Sequence, residues 1–187
     1  IHISTDYVFD GTNCRPYIET DAANPQSVYG RTKLAGEQAV LENASAAVII
    51  RTAWLYSEFG NNFVKTMRRL GAEKAQLNVV FDQVGTPTYA ADLAAAVVHI
   101  LPRLRPGMKE IFHFSNEGVC SWYDFAVEIM KLSGLDCRIN PIESKDYPTP
   151  ARRPFYSVLN KTKIKQTFNI EINHWKESLQ SCLKHLS

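Results

Sequence analysis

Tyr29 and Lys33 stand four residues apart in Tyr29-Gly30-Arg31-Thr32-Lys33, at the front of a run, Val28 to Leu41, whose spacing predicts a helix. Four residues is about one helical turn, so the phenol and the ammonium fall on one face, one above the other. A free phenol titrates near ~10 and a free ammonium near ~10.4, too high for easy proton exchange at neutrality. A fixed positive charge beside a phenol favours the phenolate and brings it toward the working range of a general acid/base. Taken alone, the pair reads equally well as an exposed Tyr and Lys on an amphipathic helix. It gains meaning from Ile1-His2-Ile3-Ser4-Thr5-Asp6-Tyr7 upstream, an apolar strand that runs into hydroxyls and a carboxyl. Ligands in open α/β sheets bind outside the carboxyl ends of strands, so Thr5 and Asp6 emerge where chemistry would take place.

The elements that must position these groups alternate between short apolar runs and helix-period segments. Ile1–Ser4 reads as the end of a buried strand, and residues 10–24, rich in turn formers and acids, read as a loop. Asn24-Pro25 is an entry signal for the helix that carries Tyr29. Ala46–Arg51 (AAVIIR) is apolar and β-branched, as in a buried parallel strand, and Trp54 lies just beyond its carboxyl end. Both plain core packing and stacking on a sugar ring are open readings of Trp54. Asn61-Asn62-Phe63 opens a helix over Phe63–Leu70, in which Asn62 is either a cap or a donor to a ligand. Leu77–Phe81 is a further strand, and Tyr89–Leu101 a helix with Ala90, Leu93, Ala94, Val97 and Val98 spaced as a core face. Glu110–Ser115 reads as a strand in which His113 is packing. Ser121 and Asp124 have capping-box spacing for a helix that ends at Gly134. Asp136–Ile142 is a weaker strand. Arg152-Arg153 suits a diphosphate electrostatically, with a solvated pair as the equal alternative. Two short helices, Lys161–Thr167 and His174–Leu186, follow.

Composition excludes several classes. The 187 residues are 45% apolar and 21% charged, ordinary for a globular chain with one substantial core. A net charge of +2, with no basic cluster longer than a pair, gives no reason to expect nucleic acid or membrane partners. Cys14, Cys120, Cys137 and Cys182 lack C-x-x-C spacing, and the five histidines are scattered, so free thiols are expected and no metal constellation is. No apolar run reaches the ~18 residues of a membrane helix and no signal-peptide pattern occurs, which makes the cytoplasm the expected location. The chain opens without Met on a residue that already reads as buried strand, so sequence is expected to precede Ile1. No G-x-G-x-x-G turn, the usual cradle of a dinucleotide pyrophosphate, occurs in it.

A strand ending in Ser/Thr, followed by Tyr-x-x-x-Lys, resembles the catalytic layout of the short-chain dehydrogenase/reductase superfamily. The fuller text STDYVFDG, PYIETD, NPQSVYGRTKLAGEQ, RTAWLYSEFGNNFVKTM, DQVGTPTYAADLA and SWYDFA resembles the dTDP-4-dehydrorhamnose reductase family within it. That likeness runs through most of the chain. It implies an α/β fold: the C-terminal part of a Rossmann-type doubly wound parallel sheet with a small mixed α/β substrate region. Residues 1–110 would form the second half of the dinucleotide-binding domain, and residues 111–187 mainly the substrate region, with the chain crossing between them more than once.

The resemblance further implies NADPH-dependent reduction of the C4 ketone of dTDP-4-dehydro-L-rhamnose. NADH is the alternative cofactor, Mg2+ is left open, and a homodimer would be permitted. Tyr29, Lys33 and Thr5 would be catalytic. Tyr29, Lys33 and Ser4 would meet the cofactor, and Thr5, Asp6, Tyr7, Trp54, Asn62 and Arg153 the dTDP-sugar. Related nucleotide-sugar dehydratases carry Asp-Glu where this chain has Asp6-Tyr7, which argues for simple carbonyl reduction over removal of water. Two rival readings stay open: a reductase or epimerase of another nucleotide sugar, and a regulatory subunit of the same fold that binds NADP without turnover.

Overall fold

The computed structural model describes residues 1–149 and 153–186; Arg152, one half of the expected arginine pair, lies outside them. Among the described residues nine strands and six α-helices follow in chain order: β1 (His2–Thr5), α1 (Val28–Asn43), β2 (Ala47–Thr52), β3 (Leu55–Tyr56), α2 (Phe63–Glu73), β4 (Gln76–Val80), β5 (Val84–Gly85), β6 (Thr88–Tyr89), α3 (Ala90–Ile100), β7 (Lys109–His113), β8 (Cys120–Ser121), α4 (Trp122–Ser133), β9 (Arg138–Ile142), α5 (Thr162–Phe168) and α6 (Trp175–Lys184). The main sheet is parallel, in the order β1-β2-β7. Its strands exist because Val48, Ile49, Ile50 and Phe112 are almost completely buried, the continuous apolar run that a parallel strand covered on both faces requires.

Side chains alternate across a strand, so the register sorts them into rows. Ile3, Ile50 and Phe112 form one row across the three strands and pack beneath α3 and α5, with Leu93, Ile100, Ile164 and Phe168. The row on the opposite face is Ser4, Arg51 and His113, and all three are buried. Burying such groups is costly unless they are paired. Glu37 of α1 supplies the pairing. Its Oε1 and Oε2 accept from Arg51 Nε and Nη2 at 2.9 and 2.7 Å, Ser4 Oγ donates to the same carboxylate, and Arg51 stacks its guanidinium over Phe9 at 5.1 Å. His113 Nδ1 donates to the Tyr17 carbonyl, and burial holds its imidazole down to about 3, so it stays neutral. The expectation that His113 is packing holds.

A second core lies around β4 and β9, which pair in parallel, with α2 and α4 packed on them and α6 on α4, through Val64, Phe125, Ile129 and Leu179. Residues 76–80 and 138–142 thus share one unit, although 62 positions separate their starts (138 − 76). α4 starts with the expected capping box, Ser121 Oγ accepting from Asp124 N and Asp124 Oδ2 from Ser121 N, and ends at Gly134 in the left-handed region (φ +64°).

Two expectations need correction. The division after residue 110 falls inside β7, which completes the main sheet, so the sheet runs to His113. The buried stripe of α3 is Leu93, Ala96 and Ile100; Ala94 and Val98 face outward, because the helix meets the sheet about one residue round from the predicted face. No described helix is long and apolar enough to cross a membrane.

The Glu37–Arg51 pair carries a stability test. Arg51→Met leaves a buried carboxylate without its partner and is expected to lower the unfolding free energy by about 3–5 kcal/mol. The double variant Glu37→Met/Arg51→Met should recover most of that loss in urea unfolding. A single variant no worse than the double would show that the pair is not a desolvated unit.

Candidate active site

β1 delivers Thr5 and Asp6 to the carboxyl end of the sheet, where a single 3-10 turn, Asp6–Val8, takes over. Thr5 caps that turn: its hydroxyl accepts from Tyr7 N at 3.2 Å and donates to Asp6 Oδ1 at 2.9 Å. Asp6 is buried, and its second oxygen has no hydrogen-bond partner. The Ser157 hydroxyl stands near it but is turned to the Val84 carbonyl at 3.5 Å. Burial pushes the Asp6 carboxyl up to about 7, with the bond from Thr5 offsetting part of the rise.

α1 brings the second pair. Ser27 caps it, Oγ accepting from Gly30 N at 3.0 Å, which begins the helix at Val28, just past Asn24-Pro25. Gly30 is required by close approach: a Cβ there would run into the Tyr7 carbonyl and the Pro25 side chain. The contact that glycine permits sets Tyr29 against Tyr7, ring centroids 5.6 Å apart and edge to face. Tyr29 is 54% exposed, so its hydroxyl is open to a ligand. One turn on, Lys33 donates to the Ile3 carbonyl at 2.7 Å, and one turn further Glu37 takes Ser4 and Arg51. Lys33 and Glu37 therefore hold successive residues of β1, and the helix is docked at the level of Tyr29 and Lys33 by the same strand that carries Thr5.

Tyr7 is half-buried; burial and the adjacent Asp6 carboxylate both raise its phenol above the ordinary value, and Arg153 nearby opposes them. Arg153 is exposed and borders two hollows. One is lined by Tyr7, Ser27 and Phe155; the other, a cleft of about 200 Å³, by Phe63, Met67, Val80, Trp122 and Tyr147.

The structure thus gathers Thr5, Asp6, Tyr7, Tyr29 and Lys33 at the end of β1, with Arg153 at the rim. Ser4, expected at the cofactor, is instead buried and donates to Glu37; its row in the sheet faces α1. Asn62, expected on the ligand, is occupied as the cap of α2: Oδ1 accepts from Lys65 N at 3.2 Å and Nδ2 donates to the Ser57 carbonyl at 2.6 Å. Trp54 stacks on Trp122. Glu37, Arg51 and Gly30 were not singled out from sequence. An acid one turn after Lys33 and an arginine closing an apolar strand were the signals available. Among the described residues no group of three or more His, Cys, Asp or Glu side chains gathers as for a metal ion.

The profile of the RmlD substrate binding domain family matches residues 1–187. The chain belongs to that family. Among its relatives, the spore coat polysaccharide biosynthesis protein SpsK of Bacillus subtilis is 43% identical over 187 residues, all of this chain and 64% of SpsK. A dTDP-4-dehydrorhamnose reductase from Clostridium acetobutylicum superimposes with a TM-score of 0.93 at 47% identity, covering 99% of this chain and 65% of that one. The Bacillus anthracis dTDP-4-dehydrorhamnose reductase, solved in complex with NADP, also superimposes at 0.93, with 37% identity over 98% of this chain and 64% of that one. The chain therefore spans just under two thirds of the length of these family members. The similarity to Rossmann-type reductases agrees with the α/β, parallel-sheet architecture.

Asp6 provides a pH test. Its folded value near 7 lies above the ordinary carboxyl value of 3.8, so between these the native state holds more protons than the unfolded state. Stability contributed at low pH is therefore lost as pH rises from about 4 to 7, by up to about 4 kcal/mol. Asp6→Asn should remove that slope and leave the protein more stable than wild type at pH 8. Parallel stability–pH curves for the two proteins would show that Asp6 ionises freely.

Proposed function

We propose that the chain forms the proton-transfer and substrate side of an NADPH-dependent reductase that converts the C4 ketone of dTDP-4-dehydro-L-rhamnose to the alcohol of dTDP-L-rhamnose. The observation that carries this reading is the exposed Tyr29 side chain held against Tyr7 just past the end of β1, one turn from a lysine anchored on the same strand. The names of similar proteins, dTDP-4-dehydrorhamnose reductases among them, supply the substrate class.

NADPH, when bound, supplies the hydride for C4. The residues present fit its nicotinamide-ribose end: Lys33 uses one of three ammonium donors on the Ile3 carbonyl, leaving two for ribose hydroxyls. No glycine-rich phosphate turn occurs within these 187 residues, so they account for that end alone. Tyr29 donates its phenolic proton to the oxygen that becomes an alkoxide, confining the charge that the transition state creates. The Lys33 ammonium stands one turn from the phenol on the same side of the helix, held there by the Ile3 carbonyl. Thr5 turns its hydroxyl from Asp6 to the substrate carbonyl and orients it. Asp6, Tyr7 and Trp54 border the sugar, and Arg153 at the rim offers its guanidinium to the diphosphate.

Tyr29→Phe in the natural full-length protein keeps the ring contact with Tyr7 and removes only the proton donor. It is expected to lower kcat for dTDP-4-dehydro-L-rhamnose by about 10²–10⁴-fold with KM little changed. Near-normal turnover would sink the assignment. NADPH binding with no turnover by the wild-type protein would favour the non-catalytic subunit instead.

A further inference from the structure

Trp54 and Trp122 meet from separate parts of the chain, one just past β2 and the other opening α4, with ring centroids 3.6 Å apart and planes within 10°. Trp54 has φ +48°, in the left-handed region that a bulky side chain rarely enters. Such a conformation persists where the surroundings over-determine it, and such positions cluster at working sites. Two features determine it here. Gly85 lacks a side chain where a Cβ would come within 2.8 Å of Trp54 Cε2 and 2.5 Å of Ser157 Oγ. Trp122 lies flat on the indole and is itself braced by Phe63 at 4.6 Å, which stacks on the fully buried Phe125.

The Trp54 indole thus stands between the Asp6–Ser157 corner and the cleft lined by Phe63, Trp122 and Arg153. One of its faces is taken by Trp122, and the indole also packs against the cluster of Val8, Phe9 and Leu159; its partly exposed remainder is the surface a ligand can reach. We infer that Trp122 is a positioning residue: it fixes the plane of Trp54 so that a nucleotide sugar meets a preset indole surface. This rests on the reading of Trp54 as a substrate contact under Proposed function. Neither indole carries the proton or the hydride, so the effect falls on binding and not on the chemical step.

Two stacked indoles couple their electronic transitions and give a signed pair of far-ultraviolet circular dichroism bands, which the third tryptophan, Trp175, does not share. Wild-type protein should show this couplet, and both Trp54→Phe and Trp122→Phe should abolish it. Saturating dTDP-L-rhamnose, with saturation established by calorimetry, should change the wild-type couplet because the ligand touches Trp54. An unchanged couplet at saturation overturns the inference without need of any variant. In the natural full-length protein, Trp122→Leu should raise KM for dTDP-4-dehydro-L-rhamnose by about tenfold with kcat within about threefold, and Trp122→Phe, which can still stack, should keep KM within about threefold. A folded Trp122→Leu protein with wild-type KM, or with a loss confined to kcat, overturns the inference. A wild-type protein that turns over no dTDP-4-dehydro sugar counts against the proposed function itself, and is seen before any variant is made.

Discussion

The rest of the structure depends on a carboxylate and a guanidinium closed off from water between α1 and the main sheet. Glu37 and Arg51 are 1% and 4% exposed, joined by a two-pronged contact, and tied through Ser4 to β1. An apolar pair of the same volume would hold the layers together about as strongly. What the charged pair adds is direction, since a fork of donors accepts a carboxylate in few orientations. A helix docked by apolar contacts alone can slide or roll; α1 buries only Gly30 and Glu37, so it has little apolar surface with which to define its seat. The ion pair and the close approach at Gly30 define it instead.

Chemistry then follows from periodicity. Tyr29, Lys33 and Glu37 are spaced by four along α1, so a seat fixed at Glu37 fixes the two turns before it. Lys33 reaches the Ile3 carbonyl, Gly30 meets the Tyr7 carbonyl, and Tyr29 arrives beside Tyr7 with its hydroxyl exposed. The strand that receives the clamp at Ser4 ends one residue later at Thr5, so Ser4, Thr5 and Asp6 share a short stretch of covalent chain. Asp6 lies beyond the strand, desolvated and short of one hydrogen bond, an arrangement that a purely structural turn would not need.

Much of this was legible in the residues. Strands of continuous apolar character, the Ser121–Asp124 capping box, the stop at Gly134 and the Tyr29/Lys33 spacing are written locally, and each expected element formed within a few residues of its bounds, whereas the two-residue strands β3, β5, β6 and β8 were not expected. What escaped was long-range. Ser4 was expected to face a cofactor because the strand's alternation alone does not say which face α1 will cover; only its register opposite Arg51 does. Asn62 sits at a position where a cap and a ligand donor look alike in sequence, and its amide bonds to Lys65 and Ser57 identify the cap. The α3 face was misplaced because five small apolar residues in that helix leave its hydrophobic direction weakly marked, so packing against Ile50 and Phe112 chose Leu93, Ala96 and Ile100. The Trp54–Trp122 stack joins residues 68 positions apart (122 − 54), and neither aromatic shows its partner in the local pattern.

If α1 and β1 assemble a ketone-reducing site, isotope transfer shows it most directly. NADPH carrying deuterium at the transferable position of its nicotinamide would be incubated with dTDP-4-dehydro-L-rhamnose and the natural full-length protein, and the product examined by NMR. Deuterium at C4 of dTDP-L-rhamnose, one for each NADPH consumed, is the expected result. NADPH bound but not oxidised, or deuterium found anywhere other than C4, would contradict it.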